Sequence, residues 1–285
     1  TPTSTGLTPY AAHSLRVRPG ETTEVVKAMF GEGGVAPIGG VDPEDAKKAG
    51  SLLQTADSVT VLLGRSSLAE TEGPVIDAAL ALHDRLADVE FLSLIRRGNI
   101  HGAFDMGMAP NLLPGRTTLT SHQASIKEIW PTLPTTRGHD AVQIIESAAE
   151  GKIDVLVLLG ADPLNDFPDK SLAEEAIEKT KIIISIDLFP TDTTCQADIV
   201  LPAAGPTEID GTFTNLEGRI SLISRKVSPP GTARPDWMIA VDLAKYLDID
   251  LGFRSVEEIW EEIEKISPIH QDIIHSLSEQ SREGV

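Results

Sequence analysis

The apolar residues of this chain follow two rhythms. Short runs at 58–63, 89–95, 153–159 and 182–186 are rich in Val, Ile and Leu with little polar alternation. Such runs predict strands of a parallel sheet, and those at 153–159 and 182–186 are expected to be buried on both faces. Between them, 21–30, 43–55, 70–86, 138–150 and 171–180 repeat their apolar positions at helical spacing. Pro43 stands in the first turn of its helix, where a missing N–H costs nothing. Strand, helix and strand in this order predict right-handed βαβ units. A further strand is expected at 13–18, stopped by Pro19-Gly20. A hairpin is expected between 211–215 and 221–225. Helices at 235–247, 256–266 and 269–277 follow, and a frayed tail closes the chain.

The expected fold class is therefore α/β, with two doubly wound, mainly parallel sheets flanked by helices and truncated at both ends. The expected divisions are a first α/β segment at 1–95, a second at 96–247 and a helical tail at 248–285. Residues 8–20 and 194–205 share a Thr-rich turn, an Ala, an apolar alternation and a Pro. This faint internal repeat suggests two related halves.

The chain is organised around 153–220. The run from Ile153 to Leu159 stops at Gly160-Ala161-Asp162-Pro163, and the run from Ile182 to Ile186 stops at Asp187. In open parallel sheets, ligands sit beyond the carboxyl ends of the strands. Gly160 would let a backbone approach a ligand closely, and Pro163 stiffens the turn. Any doubly wound domain also needs such residues at its strand ends, so spacing alone leaves both readings open. The strand at 58–63 ends in Gly64-Arg65-Ser66-Ser67 before its helix. A phosphate could sit on that helix's N-terminus, although no Walker or dinucleotide glycine spacing is present.

Composition narrows the choice. The chain has 285 residues, 41% hydrophobic and 24% charged, with a net charge of −19. That charge argues against nucleic acid and against an anionic membrane surface as direct partners. No apolar run approaches the ~20 residues of a membrane helix, so direct membrane insertion is not expected. The first residue is Thr1, which suggests a piece of something longer or a processed form. A single cysteine, Cys195, allows no internal disulfide. It also allows no iron–sulfur cluster held by this chain alone, since those need about four thiolates. Cys195 reads as a part-buried structural thiol.

His13, His83, His101, His122, His139, His270 and His275 show no zinc spacing. Asp187, Asp192, Asp198, Glu208 and Asp210 cluster in sequence but match no two-carboxylate hydrolase pattern. Glu208, Asn215, Glu217 and Arg219 read as a hydrogen-bonded frame around Gly211. The irregular stretch 96–120 carries Arg96, Arg97 and Arg116 and is long enough to be functional or interface-forming. Its arginines are expected to pair with nearby carboxylates.

Four motifs then stand in order: Gly160-Ala161-Asp162-Pro163, Asp187-Leu188-Phe189-Pro190-Thr191-Asp192-Thr193, Ala197-Asp198-Ile199-Val200-Leu201-Pro202, and the run from Glu208 to Arg219. Together they resemble the molybdopterin oxidoreductase family. Gly98-Asn99-Ile100-His101-Gly102-Ala103-Phe104-Asp105-Met106-Gly107 and Leu113-Pro114-Gly115 resemble the large, G-type iron–sulfur subunits of respiratory NADH:quinone oxidoreductase (complex I) within it. The resemblance covers roughly 12–247.

The resemblance implies a scaffold rather than a catalyst. Catalytic members usually hold their metal on a Cys, selenocysteine or Ser, and no residue here matches that role, so no catalytic and no metal-binding residue is assigned. Gly160, Asp162, Pro163, Asp187, Thr191, Asp192 and Thr193 would form a vestigial cofactor pocket. No cofactor is expected in this chain, and the family's iron–sulfur clusters would lie on Cys-rich N-terminal segments. Expected partners are other subunits of the complex I peripheral arm, on the cytoplasmic side of the membrane. The alternative is the cofactor-binding domain of an active relative, such as a formate dehydrogenase, whose loops would hold molybdopterin guanine dinucleotide. The family's Pro-Gly-Thr-Asp turn, which meets the guanine, reads Pro19-Gly20-Glu21-Thr22 here, with its acid one position early.

Overall fold

The structure is a computed structural model and describes residues 1–64, 73–95, 97–121 and 124–279. The loop at 65–67, the start of the helix expected from 70, Arg96, His122 and the tail at 280–285 lie outside the described residues. The chain divides into two compact units, Thr1–Arg96 and Arg97–Val285.

In the first unit, α1 (Thr22–Met29) and α2 (Pro43–Thr55) precede β1 (Val59–Leu63), α3 (Gly73–His83) and β2 (Val89–Ser93). The two strands pair in parallel, Val59 opposite Val89 through Leu63 opposite Ser93. This is the βαβ unit that the apolar runs predict. Asp42 caps α2 by accepting the Glu44 N–H at 2.8 Å. Val26, Ala78, Ala81 and Leu82 bury one core between α1 and α3, and Val17, Val25, Ala28, Val41 and Ala46 a second against α2.

Residues 13–18 are not a strand. Val17 N donates to Thr1 O at 3.2 Å and Arg18 N to Gly39 O at 2.9 Å. These are single bonds to loops, and no strand among the described residues builds a ladder with this segment. The counterpart of this segment in the faint repeat, Ile199–Pro202, does enter a sheet. The repeat is thus one of pattern and not of structure.

The second unit opens with short elements in the stretch expected to be irregular: α4 (Ile100–Asp105), β3 (Leu112–Leu113) and β4 (Thr117–Thr118). Next come α5 (Ala124–Ile129) and α6 (Ala141–Ala149), the latter closed by a capping box between Asp140 and Gln143. Then follow β5 (Val155–Leu159), α7 (Pro163–Asp166), α8 (Lys170–Lys179), β6 (Ile182–Asp187) and β7 (Ile199–Pro202). β5, β6 and β7 form one parallel sheet in that order. The antiparallel hairpin of β8 (Gly211–Thr214) and β9 (Ile220–Ile223) pairs Gly211 with Ile223 and Thr214 with Ile220. Helices α9 (Asp236–Tyr246), α10 (Val256–Ile266) and α11 (Ile273–Glu279) end the unit. α10 belongs to this unit's packing: Ile266 is buried with Leu113 and Ile126. The helix expected at 269–277 is split by a 3₁₀ turn at Pro268–His270 and by Asp272 at φ 60°.

The α/β class with parallel sheets flanked by helices is as expected. Burial on both faces of the sheet is not. Leu156, Leu158 and Ile183 are buried beneath Leu164, Ala173 and Ile177 of α7 and α8. On the opposite face Val155, Val157 and Leu159 are 47%, 52% and 51% exposed. Sequence runs cannot tell a covered face from an open one, because both are written in the same residues.

Two buried polar atoms, His101 Nε2 and the Ser185 hydroxyl, lack a hydrogen-bond partner among the described residues. The Ser185 hydroxyl lies on β6, in a residue that is 0% exposed. An unmet buried hydroxyl is a standing cost. S185A is therefore expected to leave stability unchanged or to raise it by about 1 kcal/mol, checked by urea unfolding. A loss of comparable size would show that the hydroxyl has a partner in solution.

Candidate functional site

The loops after β5 and β6 stand together at the carboxyl end of the sheet because the two strands are paired in parallel. Gly160 N donates to Ile186 O at 2.8 Å, carrying the ladder one residue past β5. Its φ is +56°, and a Cβ built there would meet no atom within 4 Å. The backbone at Gly160 therefore faces open space, as expected of a residue against which a ligand could lie.

Asp162 precedes the short helix α7, and Pro163 is buried as its first residue. The Asp162 carboxylate accepts from Thr193 Oγ1 on one oxygen and from Asn165 Nδ2 on the other at 2.7 Å. Thr193 is fully buried, and its Oγ1 also accepts the Leu164 N–H at 3.3 Å. One hydroxyl thus ties the β6 loop to the β5 loop. Burial pushes the Asp162 carboxyl up, but the hydrogen bonds from Asn165 and Thr193 outweigh it and hold it below the ordinary carboxylate range. Asp162 is therefore ionised at neutral pH and acts as an acceptor.

Thr191 pairs with Thr194. Thr191 N donates to Thr194 Oγ1 at 2.6 Å, Thr194 N to Thr191 Oγ1 at 3.1 Å, and Thr194 Oγ1 to Thr191 O at 2.9 Å. The Asp187 Oδ1 accepts from Leu188 N at 2.6 Å and Phe189 N at 3.4 Å, which turns the chain at the end of β6. Asp187 Oδ2 and the exposed Asp192 accept no hydrogen bond from described residues. The structure thus joins Asp162, Pro163 and Thr193 directly. Thr191, Asp187 and Asp192 surround them on the same loop, and Asn165 and Thr194 complete the network. Neither of the last two is among the expected pocket residues. The Asp162–Asn165 spacing of one helical turn is the signal that could have found the first of them.

T193V removes the hydroxyl that serves two partners. It is expected to cost about 1–3 kcal/mol, because the Leu164 N–H and an Asp162 oxygen lose their bonds together. Urea unfolding checks it, and a loss below about 0.5 kcal/mol would show that the loops are not tied through this residue.

The other acids of the region are structural. Asp198 Oδ2 accepts from Ile183 N at 2.7 Å and its own N–H donates to Ile183 O at 3.0 Å, so it docks the entry of β7 onto β6. Asn215, Glu217 and Arg219 do not frame Gly211. Asn215 Oδ1 accepts from Glu217 N and Arg219 N, both at 2.9 Å, and closes the β8–β9 turn. Glu208 serves a separate turn by accepting from Gly205 N at 2.8 Å. Cys195 is exposed rather than part-buried.

A second network lies in the same unit. Asp105 accepts from Arg116 Nε, and Arg116 Nη2 lies 2.9 Å from His101 Nδ1. A guanidinium can only donate, so Nδ1 is the acceptor in this contact. His270 is buried, with Ser267 Oγ 2.6 Å from its Nδ1 and Asp105 Oδ2 4.0 Å from its Nε2. Ser267 and His270 are 0% and 2% exposed, and Asp105 is 6% exposed. The Ser–His–Asp order is therefore sealed from substrate and serves packing. Arg116 has its carboxylate as expected, while Arg96 lies outside the described residues.

Among the described residues no group of three His, Cys, Asp or Glu could hold a metal ion. No helix among them is long and apolar enough to cross a membrane.

The α/β fold has a counterpart among solved structures. The chain superposes over 98% of its length on 46% of acetylene hydratase from Pelobacter acetylenicus, with a TM-score of 0.58 at 16% identity. The model of the molybdopterin oxidoreductase family matches residues 34–246, and the chain belongs to that family. It is 31% identical over 240 residues to the NADPH-Fe(3+) oxidoreductase subunit alpha of Geobacter sulfurreducens, covering 82% of this chain and 28% of that protein. It is 36% identical over 182 residues to the F420-dependent formate dehydrogenase subunit alpha of Methanocaldococcus jannaschii, covering 63% and 27%. It is 32% identical over 231 residues to the second G-type subunit of NADH-quinone oxidoreductase from Rhizobium meliloti, covering 78% and 27%. The chain thus spans little more than a quarter of the length of these relatives.

The family's dinucleotide fits this site in part. The space at Gly160 suits a ligand against the backbone, and Asp187 Oδ2 and Asp192 would accept from the N–H edge of a guanine. The hydroxyls of Thr191, Thr193 and Thr194, which could have met phosphate, are engaged with protein partners.

Proposed function

We propose that this chain is a non-catalytic scaffold portion of a large, G-type iron–sulfur subunit of complex I. In this reading it packs among the subunits of the peripheral arm, on the cytoplasmic side of the membrane, and supports electron transfer from NADH to quinone. The iron–sulfur clusters would be carried on Cys-rich segments outside these residues. The observation that favours a scaffold is the mutual bonding of the Thr-rich turn and the Asp162 loop within the candidate pocket. Asp162, Thr193, Asn165, Thr191 and Thr194 satisfy one another and leave little for a ligand to complete. The similarity to a G-type NADH-quinone oxidoreductase subunit over 78% of the chain supports the same reading.

A second reading is the cofactor-binding domain of an active molybdopterin oxidoreductase. The open space at Gly160 favours it, as does the similarity to a formate dehydrogenase alpha subunit. There the guanine dinucleotide would lie against Gly160, with Asp187 and Asp192 as acceptors, and would supply the molybdenum centre's redox chemistry when bound. The two readings separate on the molybdenum and pterin content of the native assembly that carries this chain. Absence of both supports the scaffold. A stoichiometric pterin overturns it and makes Asp187→Ala the next variant, with weaker pterin retention as its readout.

A further inference from the structure

A buried carboxylate in the second unit has one oxygen in use and one idle. Asp105, the last residue of α4, accepts from Arg116 Nε on Oδ1. Its Oδ2 accepts no hydrogen bond from described residues and stands 4.0 Å from His270 Nε2. A charge-assisted bond closes at about 2.8 Å, so the gap is roughly one ångström too wide. The Asp105 and His270 side chains are 9% and 3% exposed, and little water screens the space between them.

The ring is set to face that oxygen. Ser267 Oγ holds its Nδ1 at 2.6 Å, and Trp260 packs edge-on against it at 6.0 Å. The charges that act on His270 are Asp105 from α4 and Arg116 from the turn at 114–116. α10 offers it the uncharged Trp260, and its own turn the hydroxyl of Ser267. Burial and Arg116 resist a proton on the ring, whereas Asp105 favours one.

The turn on the other side of the carboxylate is strained. Arg116 has φ 52°, in the left-handed region that a residue with a side chain seldom adopts. Its guanidinium spans Asp105 and His101. A Cβ at Gly115 would come 2.7 Å from Ser267 Oγ, so this turn lies against the residue that holds His270. Strained backbone of this kind persists where its surroundings hold it, and it gathers at switch segments.

We propose that Asp105, Arg116 and His270 form an acid-operated latch, in which a proton on His270 closes the gap to Asp105 and loosens the hold on Arg116. The proton comes from solvent. The charged ring then donates on both nitrogens, from Nδ1 to Ser267 Oγ and from Nε2 to Asp105 Oδ2. Closure draws α4 toward the Pro268–His270 turn. Arg116, 42% exposed at its side chain, faces a new cation and swings outward, leaving His101 and relaxing its backbone. Asn99, just before α4, accepts the Thr214 N–H of β8 at 2.8 Å, so the shift reaches the β8–β9 hairpin. The latch is independent of whether the pocket holds a cofactor.

Deuterium exchange at the imidazole C2 of His270 tests it, followed by peptide mass in the protein that carries this chain, from about pH 4 to about pH 8. A protonation midpoint below 6.5 is expected. D105N should move that midpoint further down and R116Q should move it up, while R116K, which keeps the charge, should leave it near the wild type. A merely structural loss would move D105N and R116Q the same way, and such a result overturns the proposal. A crystal structure of the wild type below the midpoint needs no variant. It should show Asp105 Oδ2 at about 2.8 Å from His270 Nε2, with Arg116 parted from His101. A gap still at 4.0 Å in acid, with Arg116 in place, overturns the latch. So does a folded protein whose His270 takes up no proton across the range.

Discussion

Replacing Gly50 with alanine is expected to cost the first unit about 3 kcal/mol or more. In an ordinary helix interior the same change would gain about 1 kcal/mol, since alanine loses less backbone freedom than glycine. Gly50 sits in the middle of α2, and a Cβ there would lie 1.8 Å from Met29 O and 2.6 Å from Met29 C. These are backbone atoms at the end of α1, so no side chain can swing aside. The helices must separate, and the core of Val25, Ala28 and Ala46 between them opens. Hydrogen exchange of the α1 and α2 amides should accelerate at least about 100-fold. Ser51→Ala is the control: Ser51 is exposed, its hydroxyl bonds Lys47 O at 2.9 Å, and its loss should stay within about 0.5 kcal/mol. A G50A chain as stable as the wild type would mean that the helices do not touch backbone to backbone.

The second large effect is expected at Arg116. R116A leaves the Asp105 carboxylate, 9% exposed at its side chain, without its ion-pair partner. Stranding one member of a buried pair costs about 3–5 kcal/mol, and because Arg116 is itself 42% exposed the lower part of that range is expected. R116K should recover part of the loss, since the charge stays while the two-armed contact with Asp105 and His101 does not. Urea unfolding followed by tryptophan fluorescence suits the test, because Trp260 lies edge-on to His270 at 6.0 Å. Equal stability of R116A and wild type would mean that the network contributes nothing to holding the unit together.

His270 adds a pH dependence of definite sign. Burial, the largest influence, holds its pKa below the ordinary 6.5. Asp105 works against that and Arg116 with it. The folded chain thus keeps His270 neutral where the unfolded chain binds a proton. This contribution to stability is fully present above the unfolded pKa of 6.5 and is lost as pH falls from there toward the lower folded value. H270N should flatten the stability profile across that window, and an unchanged slope would refute the assignment.

Much of the site is legible in the sequence alone. The strand ends at Gly160 and Asp187, the acid before Pro163 and the Thr-rich turn are all readable there, because strand runs and turn residues are contiguous. Parallel pairing of β5 with β6 then brings those loops together. How the polar groups are shared is not readable. Thr193 is 31 residues from Asp162, and nothing local says that its hydroxyl turns inward to that carboxylate rather than outward to a ligand. The Asp105–Arg116–His270 network joins residues up to 165 apart in the chain, and no spacing rule reaches that far.

By itself, then, the sequence determined the order and type of the main elements, the α/β class and the family motifs. These depend on periodicity and turn chemistry within a few residues, where side chains see only their neighbours. Tertiary structure alone decided that 13–18 joins no sheet among the described residues, that Asn215 closes the β8–β9 turn, and that Val155, Val157 and Leu159 of β5 stay half-exposed while Ile186 on the same face is buried. Each of those outcomes rests on which distant segment arrives to supply a hydrogen bond or cover an apolar side chain. An apolar run carries the demand for such a neighbour but not its identity.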